Sequence, residues 1–324
     1  MTAILEIKCL KAEVMSDRGR ITLIDDINLN LAAGEVMGLV GESGSGKSVT
    51  GLSIMGLIEK PVQVTGGQIL FKGQDLRTLP QKEMRSIRGN RIAMIFQDPM
   101  STLNPVLRID TQMMEVVHTH EAVSKQTARE RARDALGMVG IPSPEERLSA
   151  YPHQFSGGMR QRVAIAIALM MSPDLIIADE PTTALDVTIQ AQILSIVQKL
   201  AREKGTALIW VTHDLSVVAG LSEKLSVMYA GRIVEQGSTA ALLRRPLHPY
   251  TNGLIASLPA HNRRGSRLKQ ITGTTPSFAN MPKGCAFHSR CSFATDICLS
   301  SPSLELMEGR LLRCFHPVIE GASS

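Results

Sequence analysis

The chain has 324 residues, of which 44% are hydrophobic and 20% are charged. This length allows one large hydrophobic core and a second, smaller unit, and the composition is typical of a globular protein. No apolar run approaches the ~18 residues that a membrane-spanning helix needs, so we expect any membrane role to come through a partner.

The N-terminus and the charge balance exclude further classes. Glu6 and Lys8 interrupt the apolar residues of the N-terminus, which predicts a strand and not a secretory signal, so we expect a cytoplasmic protein. The whole chain has 35 Lys and Arg and 30 Asp and Glu. Residues 241–324 contain ten of these basic residues and four of the acidic ones, so the first 240 residues contain 25 basic and 26 acidic residues. A nucleic-acid-binding core usually shows a basic face, so this near-neutral core argues against a nucleic-acid partner.

The first hundred residues contain a series of strand patterns. Apolar and polar residues alternate over 3–10 and 20–31, which predicts two strands with one covered face each. Apolar runs predict buried strands over 36–40 and 91–96, and 68–71 predicts a further strand before a turn. We therefore expect an antiparallel sheet beside the start of a parallel, nucleotide-binding sheet.

A phosphate-binding loop follows the strand at 36–40. Residues 41–48 read Gly-Glu-Ser-Gly-Ser-Gly-Lys-Ser and fill every fixed position of the pattern G-x-x-x-x-G-K-[ST]. The glycines let successive N–H groups point inward at anionic oxygens, and the helix predicted over 48–58 adds the partial positive charge of its N-terminus. We expect Lys47 to reach the β- and γ-phosphates and the Ser48 hydroxyl to bind Mg²⁺. The predicted nucleotide contacts are Gly41, Glu42, Ser43, Gly44, Ser45, Gly46, Lys47, Ser48 and Val49.

A helical insertion follows the strand at 91–96. Gln97 lies in the polar loop after this strand, where its amide either contacts a water or a Mg²⁺ ion or only caps a turn. Residues 110–150 lose strand character, and 124–137 form a charged amphipathic helix pattern with Ser124 as N-cap. We expect an insertion over about residues 98–160 of the α/β core.

A second anion-binding pattern opens the helix after the insertion. Ser156, Gly157 and Gly158 precede an apolar helix, an arrangement that either caps the helix or binds an anion. The stretch has no Lys of its own, so it does not replace the first loop.

Polar residues also follow two apolar strands. Asp179 and Glu180 end the strand at 175–178, at the edge where open α/β sheets bind ligands. We expect Asp179 to hold Mg²⁺ through water and Glu180 to polarise the water that attacks the γ-phosphate; the alternative is two acids that simply end a strand. His213 ends the next apolar strand, where it is either structural or in contact with the γ-phosphate.

The C-terminal region carries a cysteine pattern of its own. The gaps of five, six and fifteen residues are wider than those of structural zinc sites, and a reducing cytoplasm disfavours disulfides. Four thiolates fit an iron–sulfur cluster, whereas buried unpaired thiols are the alternative. The cysteines are Cys285, Cys291, Cys298 and Cys314, and they are flanked by Lys283, Arg290 and Arg313, whose charges would offset that of a cluster.

Together and in this order, the motifs over residues 1–237 resemble those of ABC-type ATPases. Residues 41–48 are similar to the Walker A motif, Gln97 to the Q-loop glutamine, and 155–161 to the family signature, usually Leu-Ser-Gly-Gly-Gln. Residues 175–179 resemble Walker B with Glu180 as catalytic base, Asp186 the D-loop aspartate, and His213 the switch histidine.

The resemblance implies a fold and a cycle. The fold is α/β, a P-loop NTPase (RecA-like) core with an antiparallel β subdomain, a helical insertion and a small Cys-containing C-terminal extension, in domains 1–237 and 238–324. Two ATPase subunits would enclose ATP head to tail, so that the phosphate loop of one faces Ser156, Gly157 and Gly158 of the other. ATP would close the pair, and hydrolysis would reopen it and drive a permease docked on the insertion near Gln97.

Two departures from the family pattern matter. Phe155 and Met159 stand where the signature usually has Leu and Gln. The family usually stacks adenine on an aromatic residue after the first strand, but residues 1–70 contain none. We expect Val14 or Met15 to take this place, with weaker selection between ATP and GTP.

Three stretches resemble the oligopeptide/dipeptide/nickel importer ATPases, closest to the dipeptide subunit: 96–105, 180–192 and 248–251. The resemblance implies ATP and Mg²⁺ as cofactors and a [4Fe–4S] cluster on the four cysteines. It implies two permease chains, a second homologous ATPase subunit and a solute-binding protein that acts through the permeases, at the cytoplasmic face of the inner membrane, with no nucleic acid.

Two alternatives stay open. One keeps the importer but changes its cargo to nickel, an opine or another small solute. The other is a soluble ABC ATPase acting on DNA or the ribosome, a class that usually carries long coiled-coil insertions or two tandem cassettes, and the sequence shows neither.

Overall fold

The computed structural model describes residues 3–16, 19–98, 102–182, 187–259, 262 and 269–318. Its contacts divide the chain into two compact units. The first unit contains 1–4, 31–35 and 78–209, and the second contains 5–30, 36–77 and 210–324. In the described residues, every helix is too short or too polar to cross a membrane.

The first unit contains a parallel sheet segment with helices around it. Strand β6 (Ile92–Ile95) pairs in parallel with β7 (Leu175–Asp179), with Ile92 opposite Leu175. On the other side of β7 lies β8 (Ala207–Thr212), of which residues 207–209 belong to the first unit and 210–212 to the second. All residues of these strands are buried, as is typical of parallel strands covered on both faces. The helices described with the first unit are α2 (Gln81–Ile87), α3 (Ile109–His120), α4 (Lys125–Met138), α5 (Pro144–Leu148), α6 (Gly157–Leu169) and α7 (Val187–Lys204).

Helices α3, α4 and α5 form the predicted helical insertion. The Ser124 hydroxyl accepts from the N–H of Thr127 at 3.1 Å, so the predicted N-cap of α4 is confirmed. Met114 and Val117 of α3 pack in one apolar cluster with Ala128 of α4. Arg129 then joins α4 to Asp110 of α3 at 2.7 Å. The insertion therefore has its own small core.

An antiparallel sheet in the second unit holds the N-terminal strands. Its order is β2 (Gly19–Ala32), β1 (Ala3–Ser16), β4 (Val62–Phe71), β5 (Gln74–Asp75), and β1 pairs with β4 from Leu5 opposite Phe71 to Val14 opposite Val62. The expected antiparallel sheet is therefore confirmed. The strands are longer than the sequence predicts, because the alternation continues past a register shift near Lys11 and into the Gly-containing start of β4.

The second unit also contains the strand that leads to the phosphate loop. β3 (Val36–Val40) pairs in parallel with β9 (Lys224–Tyr229). The next strands in the sheet are β10 (Arg232–Ser238), β12 (Arg310–Leu312) and β11 (Glu305–Met307), and each pairs antiparallel with the one before it. The last two strands come from the C-terminal extension, and Glu235 of β10 lies opposite Leu312 of β12. The domain boundary near residue 237 stays a prediction.

Four helices are described with the second unit. They are α1 (Lys47–Met55), α8 (Leu215–Leu221), α9 (Thr239–Arg244) and α10 (Pro249–Ala256). Helix α1 ends three residues before the predicted end, because Gly56 adopts a left-handed conformation (φ 61°) and its N–H caps the helix. Single 3₁₀ turns in the extension cover Phe278–Asn280, His288–Arg290 and Asp296–Leu299.

Candidate functional site

The phosphate loop has the conformation that its glycines allow. Gly44 (φ 77°) and Gly46 (φ 100°) adopt left-handed backbone angles that other residues rarely reach. A Cβ at Gly41 would come within 2.2 Å of the Met228 carbonyl oxygen, so this position has no room for a side chain. The loop therefore curls tightly between β3 and α1.

Lys47 closes the loop on itself. The residue is 5% exposed, and its Nζ donates to the carbonyl oxygens of Gly41 at 2.8 Å and Glu42 at 3.0 Å. Ser43 and Gly44 are exposed, whereas Ser48 and Val49 are half-buried in the first turn of α1. The amine is thus inside the ring of backbone groups where the sequence predicts phosphates.

Residues of the C-terminal extension contact Glu42 of the phosphate loop. The sequence predicts Glu42 as a loop residue but does not indicate these contacts. Its N–H donates to the Tyr250 hydroxyl at 2.9 Å, and Arg290 donates to both carboxylate oxygens at 2.7 and 3.0 Å. The Thr275 hydroxyl donates to the same carboxylate. Burial opposes ionisation, but the hydrogen bonds from Arg290 and Thr275 lower the pKa of Glu42 overall. A loop residue is therefore tied to groups more than two hundred positions away in the chain.

The expected replacement for the missing adenine platform lies at the end of β1. Met15 is 51% exposed, and Val14 beside it is half-buried. The contact of either residue with a base stays a prediction.

In the first unit, the structure brings together Gln97 and Glu180. Gln97 follows β6, Glu180 follows β7, and the Gln97 amide donates to the Glu180 carboxylate at 3.3 Å. Asp179, the last residue of β7, is 6% exposed. Glu180 has φ 45°, a left-handed angle that is sterically costly for a residue with a side chain and is common at functional sites. The roles of these residues in Mg²⁺ binding and water activation stay predictions.

The Ser-Gly-Gly stretch forms an open helix N-terminus. Ser156 caps α6, since its hydroxyl accepts from the Met159 N–H at 3.3 Å. Ser156 and Gly157 are exposed, Gly158 is half-buried, and a Cβ at Gly157 would meet no atom within 4 Å. Phe155, which departs from the signature pattern, is buried at 3% exposure.

His213 belongs to the second unit, as the phosphate loop does. It is exposed and follows the last residue of β8, and Asp214 after it caps α8 through a bond from the Ser216 N–H at 2.8 Å. Asp186, the predicted D-loop residue, lies outside the described residues.

The four C-terminal cysteines lie close enough to influence one another. The backbone N–H of Cys285 donates to the Cys298 carbonyl at 2.9 Å, and a Cβ at Gly284 would come within 2.4 Å of the same oxygen. Burial raises the pKa of Cys314 to about 12, with further contributions from the charges of Cys285, Cys291 and Cys298. Burial also raises the pKa values of Cys285 and Cys291. Cys9, in contrast, is exposed on β1.

A backbone amide points at one of these sulfurs. The His316 N–H donates to Sγ of Cys314 at 3.3 Å. Amide donors to sulfur stabilise thiolates and tune iron–sulfur clusters. Over the part of the chain that is described, however, no three Cys, His, Asp or Glu side chains converge on one metal position.

An aromatic cluster connects the cysteine region to the phosphate loop. Phe287 packs edge-on against Tyr229 with ring centroids 5.2 Å apart, and Tyr250 lies 4.6 Å from Tyr229. His248, which is 1% exposed, caps α10 by accepting from the Tyr250 N–H at 3.0 Å. The sequence marks Tyr250 only as part of the stretch His-Pro-Tyr-Thr, and its bond to Glu42 needs the fold.

Two family models match this chain, one in its N-terminal and one in its C-terminal part. A family model described as ABC transporter matches residues 24–183, and one described as oligopeptide/dipeptide transporter, C-terminal region, matches residues 234–298. The chain is 46% identical to the oligopeptide transport ATP-binding protein OppD of Salmonella typhimurium, over 98% of this chain and 95% of that protein. It is 45% identical to the dipeptide transport ATP-binding protein DppD of Escherichia coli, over 98% and 97% of the two chains.

Solved structures of ATP-binding cassettes also align with this chain. The dimeric post-hydrolysis structure of an ATP-binding cassette bound to ADP and Pi aligns with a TM-score of 0.66 and 29% identity, over 72% of this chain and 98% of that chain. A second structure, of a dimeric bacterial ABC transporter cassette, also aligns with a TM-score of 0.66, at 30% identity and with the same coverage.

Proposed function

The chain belongs to the ABC transporter ATP-binding proteins, in their oligopeptide/dipeptide branch, and we propose that it is the ATP-hydrolysing subunit of a peptide importer. The observation that carries this proposal is the phosphate loop, which has a buried Lys47 and two glycines in the left-handed conformation. Both oligopeptide and dipeptide transport proteins are among the relatives at 45–46% identity, so either peptide class suits the chain.

The site residues divide the hydrolytic work. Residues 43–49 supply backbone N–H groups to the phosphates, Lys47 neutralises the β- and γ-phosphates, and the hydroxyl of Ser48 ligates Mg²⁺. Asp179 holds the metal through water. Glu180 polarises the attacking water, and the Gln97 amide that now donates to Glu180 responds to the ion and the γ-phosphate. His213 contacts the γ-phosphate.

A second ATPase subunit completes the site. Ser156 and Gly157 are exposed at the start of α6, which is the arrangement that a partner's γ-phosphate needs. The dimeric cassettes that align with this chain support such pairing. We place Asp186 at the same junction. The partner is a homologous ATPase, and the pair acts at the cytoplasmic face of the membrane on two permease chains that receive solute from a binding protein.

The four C-terminal cysteines are the proposed ligands of a [4Fe–4S] cluster. Their mutual electrostatic influence and the amide bond to the Cys314 sulfur support this assignment. Four cysteine thiolates would hold a cluster of four irons, so these ligands would not need to converge on a single ion. Bound there, it would join the segments around Cys285, Cys291, Cys298 and Cys314. Iron and acid-labile sulfide analysis of protein purified without oxygen tests this part of the proposal.

The first experiment is a pull-down of tagged Glu180→Gln protein from membranes with ATP. This substitution removes the proposed base and keeps the side chain's shape, so the closed ATP-bound pair should accumulate. We expect two permease chains and a second ATPase, and a co-purified binding protein would distinguish a peptide cargo from nickel or an opine. The matched control is Lys47→Ala combined with Glu180→Gln, which should recover no ATP-dependent partners. Recovery of ribosomal or DNA-repair proteins without membrane proteins would refute the importer.

A further inference from the structure

Arg290 is a buried cation that joins the C-terminal extension to the phosphate loop. Its side chain is 5% exposed, although it lies in a short 3₁₀ turn. Besides its two bonds to Glu42, it donates from Nε to the Thr272 carbonyl at 2.9 Å. Its guanidinium also lies over the rings of Tyr229 and Phe287, with centroid distances of 5.7 and 5.8 Å. These contacts fix the guanidinium in one position.

Glu42 is held just as firmly. Its N–H bonds to Tyr250, its carbonyl accepts from Lys47 and from the Ser45 N–H at 3.2 Å, and its carboxylate bonds to Arg290 and Thr275. Every polar group of Glu42 therefore has a hydrogen-bond partner. The two residues that bond to its carboxylate, Arg290 and Thr275, both belong to the C-terminal extension.

The charge of Glu42 is unfavourable for a triphosphate site unless it is balanced. A carboxylate in a phosphate loop repels phosphate oxygens and competes for Lys47, whose charge it already feels. A bidentate guanidinium–carboxylate pair neutralises this charge and fixes the direction of the carboxylate. The balancing cation is Arg290, from the opposite end of the sequence.

We propose that Arg290 is a positioning residue for ATP binding, which neutralises Glu42 and holds the phosphate loop in its binding conformation. This inference rests on the proposed nucleotide site at residues 41–49. Arg290 does not reach the phosphates itself and acts through Glu42. Because Arg290 immediately precedes Cys291, a displacement of that cysteine would also displace the guanidinium from the loop.

A double-mutant cycle on the full-length chain tests the proposal. The Kd for MgATP is measured by titration calorimetry for the wild type, Arg290→Gln, Glu42→Gln and the double variant. We expect Arg290→Gln to weaken MgATP by about tenfold, since it leaves a partly buried carboxylate unpaired beside the phosphates. The double variant should recover most of this loss, because it removes the unpaired charge. Arg290→Lys, which keeps the charge but not the bidentate geometry, should be intermediate.

The matched control is Arg313→Gln. Arg313 also immediately precedes a cysteine, is 8% exposed, and pairs at 2.7 Å with a carboxylate of the second unit, but that carboxylate is Asp26 on β2. Its replacement should disturb the extension similarly and leave the Kd for MgATP within about twofold of the wild type. If both arginine variants weaken MgATP equally, or the double variant binds no better than Arg290→Gln, the inference is wrong. If the wild type itself binds no MgATP, the proposed function fails instead.

Discussion

The buried histidine of the extension gives a prediction about pH. His248 is enclosed, and burial lowers its pKa from 6.5 to about 3, although the Arg313 carbonyl acts in the opposite direction. Its Nδ1 must stay unprotonated to accept from the Tyr250 N–H. The ring is therefore neutral in the folded state at pH values where it is protonated in the unfolded chain.

The sign follows from proton linkage. The pKa of His248 is lower in the folded state than in the unfolded state. The contribution of the neutral ring to the free energy of unfolding is therefore complete above pH 6.5 and is lost progressively as the pH falls toward 3. Between about pH 7.5 and about pH 5.5 the unfolded ring takes up most of a proton and the folded ring takes up almost none. This contributes a loss of about 1.4 kcal/mol in the free energy of unfolding.

The variant His248→Asn isolates this contribution. Asn keeps an N-cap acceptor but does not titrate, so it should be less stable than the wild type at about pH 7.5, and the gap should shrink by about 1.4 kcal/mol at about pH 5.5. Urea unfolding can be followed by Trp210, which is the one tryptophan of the chain and lies in the same unit. An identical gap at both pH values would refute the reasoning, as would an NMR titration showing that the His248 ring is protonated near pH 6.

Three further predictions concern the loop and the cysteine region. Lys47→Ala should lower ATP hydrolysis by at least about a hundredfold, because it removes the cation proposed for the β- and γ-phosphates; full activity in a phosphate-release assay would contradict the site. Gly41→Ala should raise the Kd for MgATP at least about tenfold, since its Cβ would lie 2.2 Å from the Met228 carbonyl oxygen. An unchanged Kd for MgATP would contradict this prediction. Gly284→Ala should lower the thermal midpoint and the iron content of the proposed cluster, because its Cβ would lie 2.4 Å from the Cys298 carbonyl oxygen, whereas the control Gly220→Ala, which lies in helix α8 with nothing within 4 Å of its Cβ, should lower neither.

Local patterns in the sequence predict much of the nucleotide-binding fold. The alternation over 3–10 and 20–31 gives β1 and β2, and Ser124 caps its helix as expected, because these features depend on neighbouring residues alone. The glycine pattern likewise predicts a tight loop before α1.

Contacts between distant residues were beyond such patterns. Glu42 and Arg290 are 248 positions apart, and nothing near either residue indicates a partner. Strands β11 and β12 have three residues each, too few for an alternation to be recognised, and all three residues of β11 are exposed. The left-handed angle of Glu180 also depends on its surroundings, because no glycine marks it.

The strands that the C-terminal extension adds to β10 have a consequence for making shorter proteins. A polypeptide that stopped after β10 would lose β12, where Leu312 lies opposite Glu235 and the Arg313 N–H donates to the Val234 carbonyl at 2.9 Å, and would leave this edge of β10 unpaired. It would also remove Arg310, which pairs at 3.2 Å with the fully buried Glu235. An exposed strand edge beside an uncompensated carboxylate favours aggregation. A recombinant ATPase fragment of this protein should therefore keep residues up to at least Leu312 if it is to remain monodisperse in storage.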